Sequence, residues 1–513
     1  MKTEKKDTTA SEHLDVLIVG AGISGICMAY YLQTRCPQKR FTLLEGREAS
    51  GGTWDLFQYP GVRCDSDMHT LGYSFHPWQG AKVIADGPSI LQYVRETAAA
   101  FGIDRQIRFN HRVRRATWSS ADSLWTVEVV RGPDEESVSF TCNFLCMCTG
   151  YYDYNQGYTP AWPGIEQFSG HLIHPQQWPE DFDCTGKQIV VIGSGATAVT
   201  LIPALAEQAA HVTMLQRSPT YIVARPSSVE GTRGIRRFLP ARLVHRLARW
   251  RSILFGIYFY NLTRRRPELA KQGLLRLVRQ QLGDEYDIDT HFTPTYNPWD
   301  QRLCLTPDGD FFAAIRDGKV SVVTDHIETF TEKGIKLRSG DELAADTIVT
   351  ATGLTIKLMG GVQFVIDDVP VDLAKLLIYK GTMYRDIPNL AFVFGYINAS
   401  WTLKCELIAQ HLCRVLTYMD QHGYTQCTPR LWDQTIDEAP MLGLTSGYMQ
   451  RARDTMPRQS TRNPWKMHQN YLRDLLSLRF NTLNDGTMEF TRAANHMQQK
   501  RATEKGLKKQ AQT

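Results

Sequence analysis

Two glycine-rich turns carry the clearest chemistry in this 513-residue chain. Gly20-Ala-Gly22-Ile-Ser-Gly25 follows the apolar run Leu14–Val19 and opens a helical pattern over Ile26–Leu32. In such a turn the first glycine permits a sharp reversal, the second lets backbone approach a pyrophosphate, and the third lets helix pack on strand. Unpaired N–H groups at the helix start then face the phosphates. Phe41-Thr-Leu-Leu44 predicts the next strand, and Glu45 ends it where a carboxylate meets ribose hydroxyls. A tight turn in an unrelated α/β fold would leave Glu45 unexplained. The second turn, Gly193-Ser194-Gly195-Ala-Thr197-Ala198, follows the strand Gln188–Ile192 and has alanine in the third place. Its next strand, His211–Gln216, ends at Arg217 instead of an acid. Arginine there suits a 2′-phosphate, with Ser218 and Thr220 as hydroxyl donors; a plain surface charge is the alternative. The turns predict FAD at the first site and NADPH at the second, with electrons passing from nicotinamide to flavin.

The elements that must hold these turns are a doubled α/β fold: two Rossmann-like dinucleotide-binding domains with a helical insert. Phe144–Gly150 and Asp346–Gly353 are apolar strands ending in Thr-Gly, where glycine permits close approach of a cofactor or crossing chain. They read as returns from one domain to the other. The expected division is an FAD domain from residues 1–150 and 353–513, an NADPH domain from 151–229 and 297–352, and a helical insert over 230–296. Residues 230–281 of the insert hold thirteen Arg and Lys against two Glu, interleaved with Trp250, Phe255, Tyr258 and Phe259. Its apolar run Ile253–Tyr260 is far too short to span a bilayer. Two readings stay open: an apolar face packed in a helical subdomain with arginines in water, or peripheral contact with a membrane surface.

Composition narrows the classes. A hydrophobic share of 42% and a charged share of 22% are ordinary for globular chains, and exclude collagen-like and disordered proteins. A net charge of +5 gives no general nucleic-acid footprint. The eleven cysteines show no Cys-x-x-Cys or zinc spacing, so neither a disulfide framework nor a metal site is expected. Cys142, Cys146 and Cys148 read as small buried residues. Reduced cysteines and a polar start lacking a signal-peptide core predict a cytoplasmic protein. Residues 1–12 and about 497–513 read as tails.

Between the glycine turns lie two longer motifs. One is Gly51-Gly52-Thr53-Trp54-Asp-Leu-Phe-Gln-Tyr-Pro-Gly-Val-Arg-Cys-Asp65; the other is Phe168-Ser-Gly170-His-Leu-Ile-His174-Pro-Gln-Gln-Trp178-Pro. Together they resemble the fingerprints of Baeyer–Villiger monooxygenases, within the class B flavoprotein monooxygenases. The resemblance covers about residues 12–495 and is nearest the ethionamide-activating group. It implies that NADPH reduces FAD, that reduced flavin captures O2 as a C4a-peroxyflavin, and that this converts a ketone to an ester or lactone, with S-oxidation as a side activity. It assigns Arg302 to the anionic peroxide and Asp65 to orienting Arg302. It places Gly52, Thr53 and Trp54 at the cofactor, and Phe168, Gly170, His174 and Trp178 on a hinge between domains. The residue-level alternatives are an interdomain salt bridge for Arg302 and a turn or cap for Asp65. Gln301 departs from the lysine that many members carry before the arginine. Asn398-Ala-Ser-Trp401-Thr-Leu-Lys404 opens a long helix whose positive end would face the flavin; Trp401 is a candidate for the substrate pocket, or equally for core packing.

Three rivals remain. A class B N- or S-monooxygenase without ketone activity is the nearest, and Trp178 argues against it. A flavin disulfide reductase would need a cysteine pair at the flavin, which Cys27, Cys36 and Cys64 do not supply. A non-catalytic, membrane-associated flavoprotein would survive Arg302→Ala unchanged.

Overall fold

The computed structural model describes residues 11–228, 240–433 and 435–492. Most of both expected tails lies outside them, as do Arg233, Arg236 and Arg237 of the basic insert. The first strand starts at Glu12, inside the stretch read as a tail.

The run Leu14–Val19 is apolar without alternation because both its faces are covered; Val16, Leu17 and Ile18 are fully buried. It is the third strand of a parallel array in the order Ile107–Arg108, Phe41–Leu44, Glu12–Val19, Glu136–Met147. On its other edge the strand Glu136–Met147 has two further partners. Its first part closes an antiparallel meander with Leu124–Arg131, and its last residues run parallel to Leu390–Phe392. The helix Ile23–Arg35 begins three residues earlier than its apolar spacing indicates. It packs against Trp401–His422, a 22-residue helix buried over most of its surface.

A second sheet has five parallel strands in the order Val320–Thr324, His211–Gln216, Gln188–Ile192, Thr347–Thr350, His171–Ile173. The two chain passages between the sheets, Tyr152–Gly157 and Leu354–Ile356, pair antiparallel with each other. The halves are thus joined by a two-strand ribbon.

The basic insert forms the helices Ala241–Arg265 and Pro267–Leu282. One arginine departs from the expectation of cations in water. Arg249 is buried, and its guanidinium donates to the carbonyls of His69, Thr70 and Gly72 at 3.0, 3.3 and 2.6 Å and to Glu406 at 3.2 Å. The short helix Met68–Leu71 leaves carbonyls free of helical partners, and Arg249 takes them, pinning the insert to the first half.

Candidate cofactor and active site

Each glycine turn is shaped by the strand that crosses behind it. Gly20 has φ +104°, and a Cβ there would sit 2.6 Å from the Cys148 carbonyl oxygen. Gly193 has φ +131°, and its Cβ would sit 2.3 Å from the Ala351 oxygen. Cys148 and Ala351 are the ends of the two Thr-Gly strands, so the crossing chain, more than the cofactor, excludes a side chain at these positions. The helices after the turns start at Gly22 and Gly195, and neither has a side-chain cap. Their first N–H groups are left for another acceptor.

A cavity of about 480 Å³ opens in front of the first turn. Gly20, Gly22, Glu45, Gly52, Thr53, Trp54 and Asp65 line it from the first half; Thr197 and Arg302 reach it from the second; Trp401 closes it from the buried helix. Gly22 and Gly52 face one another closely enough that a Cβ on Gly22 would stand 3.4 Å from the Gly52 Cα. A glycine-walled slot, an uncapped helix start and a strand-end carboxylate fit a dinucleotide. Glu45 is buried, and its carboxylate accepts from the backbone N–H of Ala21 at 2.8 Å and of Arg47 at 3.1 Å. Burial raises its pKa despite these donors.

Arg302 donates to Asp65 at 3.3 Å. The Asp65 charge raises the arginine's pKa and holds it cationic. Beside the pair, Tyr151 and Tyr152 share a hydroxyl hydrogen bond of 2.7 Å. Burial pushes the Tyr151 hydroxyl up to about 12 and that of Tyr152 well above its usual value, so both stay neutral. Tyr151 stacks on Trp401 at 5.3 Å, and the Trp401 indole N–H donates to Ser24 at 2.8 Å. Trp401 therefore both lines the cavity and packs against the first helix.

Sequence reasoning missed three contributors. Tyr151 and Tyr152 directly follow the Thr-Gly signature, which by itself signals only a close backbone approach. Arg47 lies two residues past Glu45, lines the cavity, and donates to Asp55 at 2.7 Å; Arg95 donates to the same carboxylate at 2.6 Å. One Arg47 Nη is buried without a partner. A cation next to the strand-end acid was the available signal.

Other predicted residues lie apart from the cavity. Gly25 is buried behind the first turn, where a Cβ would come within 1.9 Å of the Gly20 oxygen. Ala198 is buried in the second core, in a packing place and not at a cofactor surface. Arg217 and Ser218 are exposed. Ser194 Oγ donates to the Ser218 carbonyl at 3.3 Å and pairs with Thr220 Oγ1 at 2.8 Å. Phe168 packs in a core of the second half, and a Cβ on Gly170 would strike its ring at 2.6 Å. Trp178 meets Phe182 edge-on at 5.5 Å. His174 accepts from the Gln176 N–H at 3.2 Å and lies 3.3 Å from the Gly353 oxygen. Its ring fills the space where Gly157 lacks a Cβ. It thus touches one strand of the linking ribbon and the residue just before the other, and burial lowers its pKa. All eleven cysteines are buried and unbridged. Among the described residues no helix is long and apolar enough to cross a membrane.

Residues 18–81 match a family described as NAD(P)-binding Rossmann-like domain, and residues 80–250 match the flavin-binding monooxygenase-like family. The chain is 50% identical over 483 residues to the FAD-containing monooxygenase EthA of Mycobacterium tuberculosis, covering 94% of this chain and 98% of that protein. EthA of Mycolicibacterium smegmatis matches with the same identity and coverage. Among solved structures, a steroid monooxygenase bound to NADP superposes with a TM-score of 0.68 at 25% identity, covering 81% of this chain and 88% of that one. With a walled slot at one glycine turn, a second turn on its own parallel sheet and this degree of identity, the chain belongs to the class B flavoprotein monooxygenases, which use FAD and NADPH, alongside the EthA proteins.

Proposed function

We propose that this chain is a Baeyer–Villiger monooxygenase that converts ketones to esters or lactones, with oxidation of thioethers or thioamides as a second activity. The observation that carries the reading is the Arg302–Asp65 pair in the cavity wall. Bound FAD, reduced by NADPH, would supply the activated oxygen. Arg302 supplies a cation that does not titrate under working conditions, and a fixed cation in a site shielded from water stabilises developing negative charge. Asp65 fixes its direction. Tyr151, Tyr152 and Trp401 wall off water and offer neutral hydroxyl donors but no base. Ala399 and Trp401, at the uncapped start of the buried helix, line the same cavity. The positive end of that helix favours an anion there.

The division of labour follows the two sheets. Residues 1–150 and 353–513 form the FAD domain, 151–229 and 297–352 the NADPH domain, and 230–296 the insert. Arg217, with Ser194 and Ser218 nearby, receives the 2′-phosphate of NADPH. His174 acts on the linking ribbon as a hinge residue and not as a general base; Phe168, Gly170 and Trp178 pack that hinge. Buried, unbridged cysteines support a reducing, cytoplasmic setting.

Product analysis tests the reading. Purified holoenzyme with NADPH and 18O2 is offered linear and cyclic ketones, then thioethers and thioamides. Esters or lactones bearing one labelled oxygen support it. Labelled sulfoxides or N-oxides alone, with every ketone untouched, would replace it with the heteroatom oxygenase.

A second observation favours peripheral contact with an anionic membrane. Leu243, Leu247, Trp250, Leu254 and Tyr258 recur at helical spacing along Ala241–Arg265 and are 38 to 64% exposed. Exposed Arg246 and Arg251 flank the stripe. An apolar stripe edged by cations suits an acidic lipid surface. Co-sedimentation with phosphatidylserine vesicles but not phosphatidylcholine vesicles, lost in Leu254→Glu, supports it. Equal partition between the two, or a stripe covered by a second copy in light scattering, removes it.

A further inference from the structure

The corner beyond the second glycine turn holds a second unpaired arginine. Arg451 lies on the short helix Gly447–Ala452, which belongs to the first half of the molecule, not to the nucleotide sheet. Its guanidinium carbon sits 3.3 Å from the ring centre of Tyr158, a face-on stack, and Nη2 lies 3.5 Å from the Leu354 carbonyl oxygen. Leu354 begins one strand of the linking ribbon, and Tyr158 directly follows the other. The place where a Gly447 Cβ would stand is 3.4 Å from Arg451 Nη1 and 3.9 Å from Arg217 Nη2. Two guanidinium groups thus converge on one exposed corner. Neither forms an ion pair with a carboxylate among the described residues. The hydroxyls of Ser194 and Thr220 lie on the loops that carry this same corner.

Like charges brought together cost energy unless something offsets them. Two other arginine pairs among the described residues have such a partner: Arg47 and Arg95 share Asp55, and Arg112 and Arg114 share Glu135. Arg217 and Arg451 have no such partner among the described residues, and Arg217 stands at the end of His211–Gln216, the strand that follows the second dinucleotide turn. A dianionic phosphate monoester is the ligand that two forked donors and neighbouring hydroxyls fit.

We infer that Arg451 is the second residue for the 2′-phosphate of NADPH, reaching across from the flavin half to complete a site that Arg217 begins. The inference rests on the reading of Arg217 given above and extends it. Its consequence is mechanical. Gly193 and Arg217 belong to the nucleotide sheet, whereas Arg451 belongs to the other half. The phosphate would therefore hold the two halves together across the ribbon, and NADH would not.

The test uses FAD-loaded enzyme and calorimetric binding of 2′,5′-ADP and 5′-AMP, which differ only in the 2′-phosphate. Arg451→Gln keeps a polar group of similar reach without the charge. It is expected to weaken 2′,5′-ADP by about tenfold to hundredfold and to leave 5′-AMP unchanged, and Arg451→Lys is expected to recover part of the loss. Equal weakening of both nucleotides would make Arg451 a strut of the ribbon and overturn the inference, as would no weakening of either. Arg217→Ala separates the two levels. If it discriminates between the nucleotides while Arg451→Gln does not, only Arg451 falls. If it fails to discriminate, the whole placement of the 2′-phosphate falls with it.

Discussion

Behind Gly20 passes the carbonyl of Cys148, and behind Gly193 passes that of Ala351. Both turns are thus built on one plan, with a crossing strand that tolerates no side chain. What stands in front of them differs. Gly22 faces Gly52 across a slot, and the carboxylate at the end of its strand pair, Glu45, is buried against the backbone of Ala21. Gly195 faces nothing within 4 Å, and Arg217 at the equivalent strand end is exposed. The first turn is walled and suits a cofactor that stays. The second is open, and a nucleotide there is reached from outside the protein. The same motif supports both because the glycines settle backbone geometry, while residues from distant parts of the chain settle access.

The largest expected effect would break the link between the halves. Arg302 comes from the second half but serves the cavity of the first. Arg302→Ala should lower oxygenated product by about 100- to 1000-fold, while anaerobic bleaching of the flavin by NADPH keeps its rate. A parallel fall in flavin reduction would make Arg302 a bridge between domains and not a catalytic residue. The next effect concerns the third position of each turn. A Cβ on Gly25 would lie 1.9 Å from the Gly20 oxygen, whereas Ala198 fills the equivalent place in the second turn, buried and accommodated. Gly25→Ala should purify depleted of FAD and lose about 1–3 kcal/mol or more of stability, seen as a lower Tm and a lower flavin-to-protein ratio. Retention of full FAD would mean the first helix can retreat from its strand.

Much of this contrast was legible in sequence. The strands Phe41–Leu44, Gln188–Ile192 and His211–Gln216 stand where their apolar runs placed them. A buried parallel strand is a continuous apolar run and ends sharply at its turn. Glu45 and Arg217 were visible because each follows such a run directly. Arg451 was not, because it lies more than 200 residues beyond Arg217 in sequence and reaches that corner from another element, held by Tyr158 and the Leu354 carbonyl. Arg249 was hidden for a different reason. Composition counted it among solvated cations, and only tertiary placement against the Met68–Leu71 carbonyls gives it partners. Tyr151 and Tyr152 follow a recognisable signature, but no local pattern states that their hydroxyls meet beside Arg302.

The openness of the second turn gives a cleaner test than the crowding of the first. Gly195 has φ −77°, and an added Cβ meets no protein atom within 4 Å. Nothing in the protein requires glycine there. Gly195→Ala should therefore leave Tm and FAD content unchanged while weakening NADP+ by about tenfold, the scale of one lost backbone approach to a pyrophosphate. Unaltered affinity would place the pyrophosphate elsewhere.

The smallest effect belongs to the ribbon between the halves. The Gln176 N–H donates to His174 Nδ1, so Nε2 carries the proton and faces the Gly353 oxygen, the neutral tautomer. Burial lowers the folded-state pKa below the value of about 6.5 expected in an unfolded chain. Between those two values the unfolded state binds more protons, so stability rises with pH through that window. The contribution is complete above about pH 6.5 and is lost as pH falls toward the lowered value. Protonation would also set an Nδ1–H against the Gln176 N–H and loosen the ribbon that joins the halves. Wild-type enzyme should lose on the order of 1–2 °C of Tm below pH 6.5 relative to His174→Gln, which has no such titration. The rate of flavin reduction by NADPH should show the same difference in pH dependence. Parallel pH profiles for the two proteins would mean that His174 is merely packed against Gly157 and does not report on the hinge.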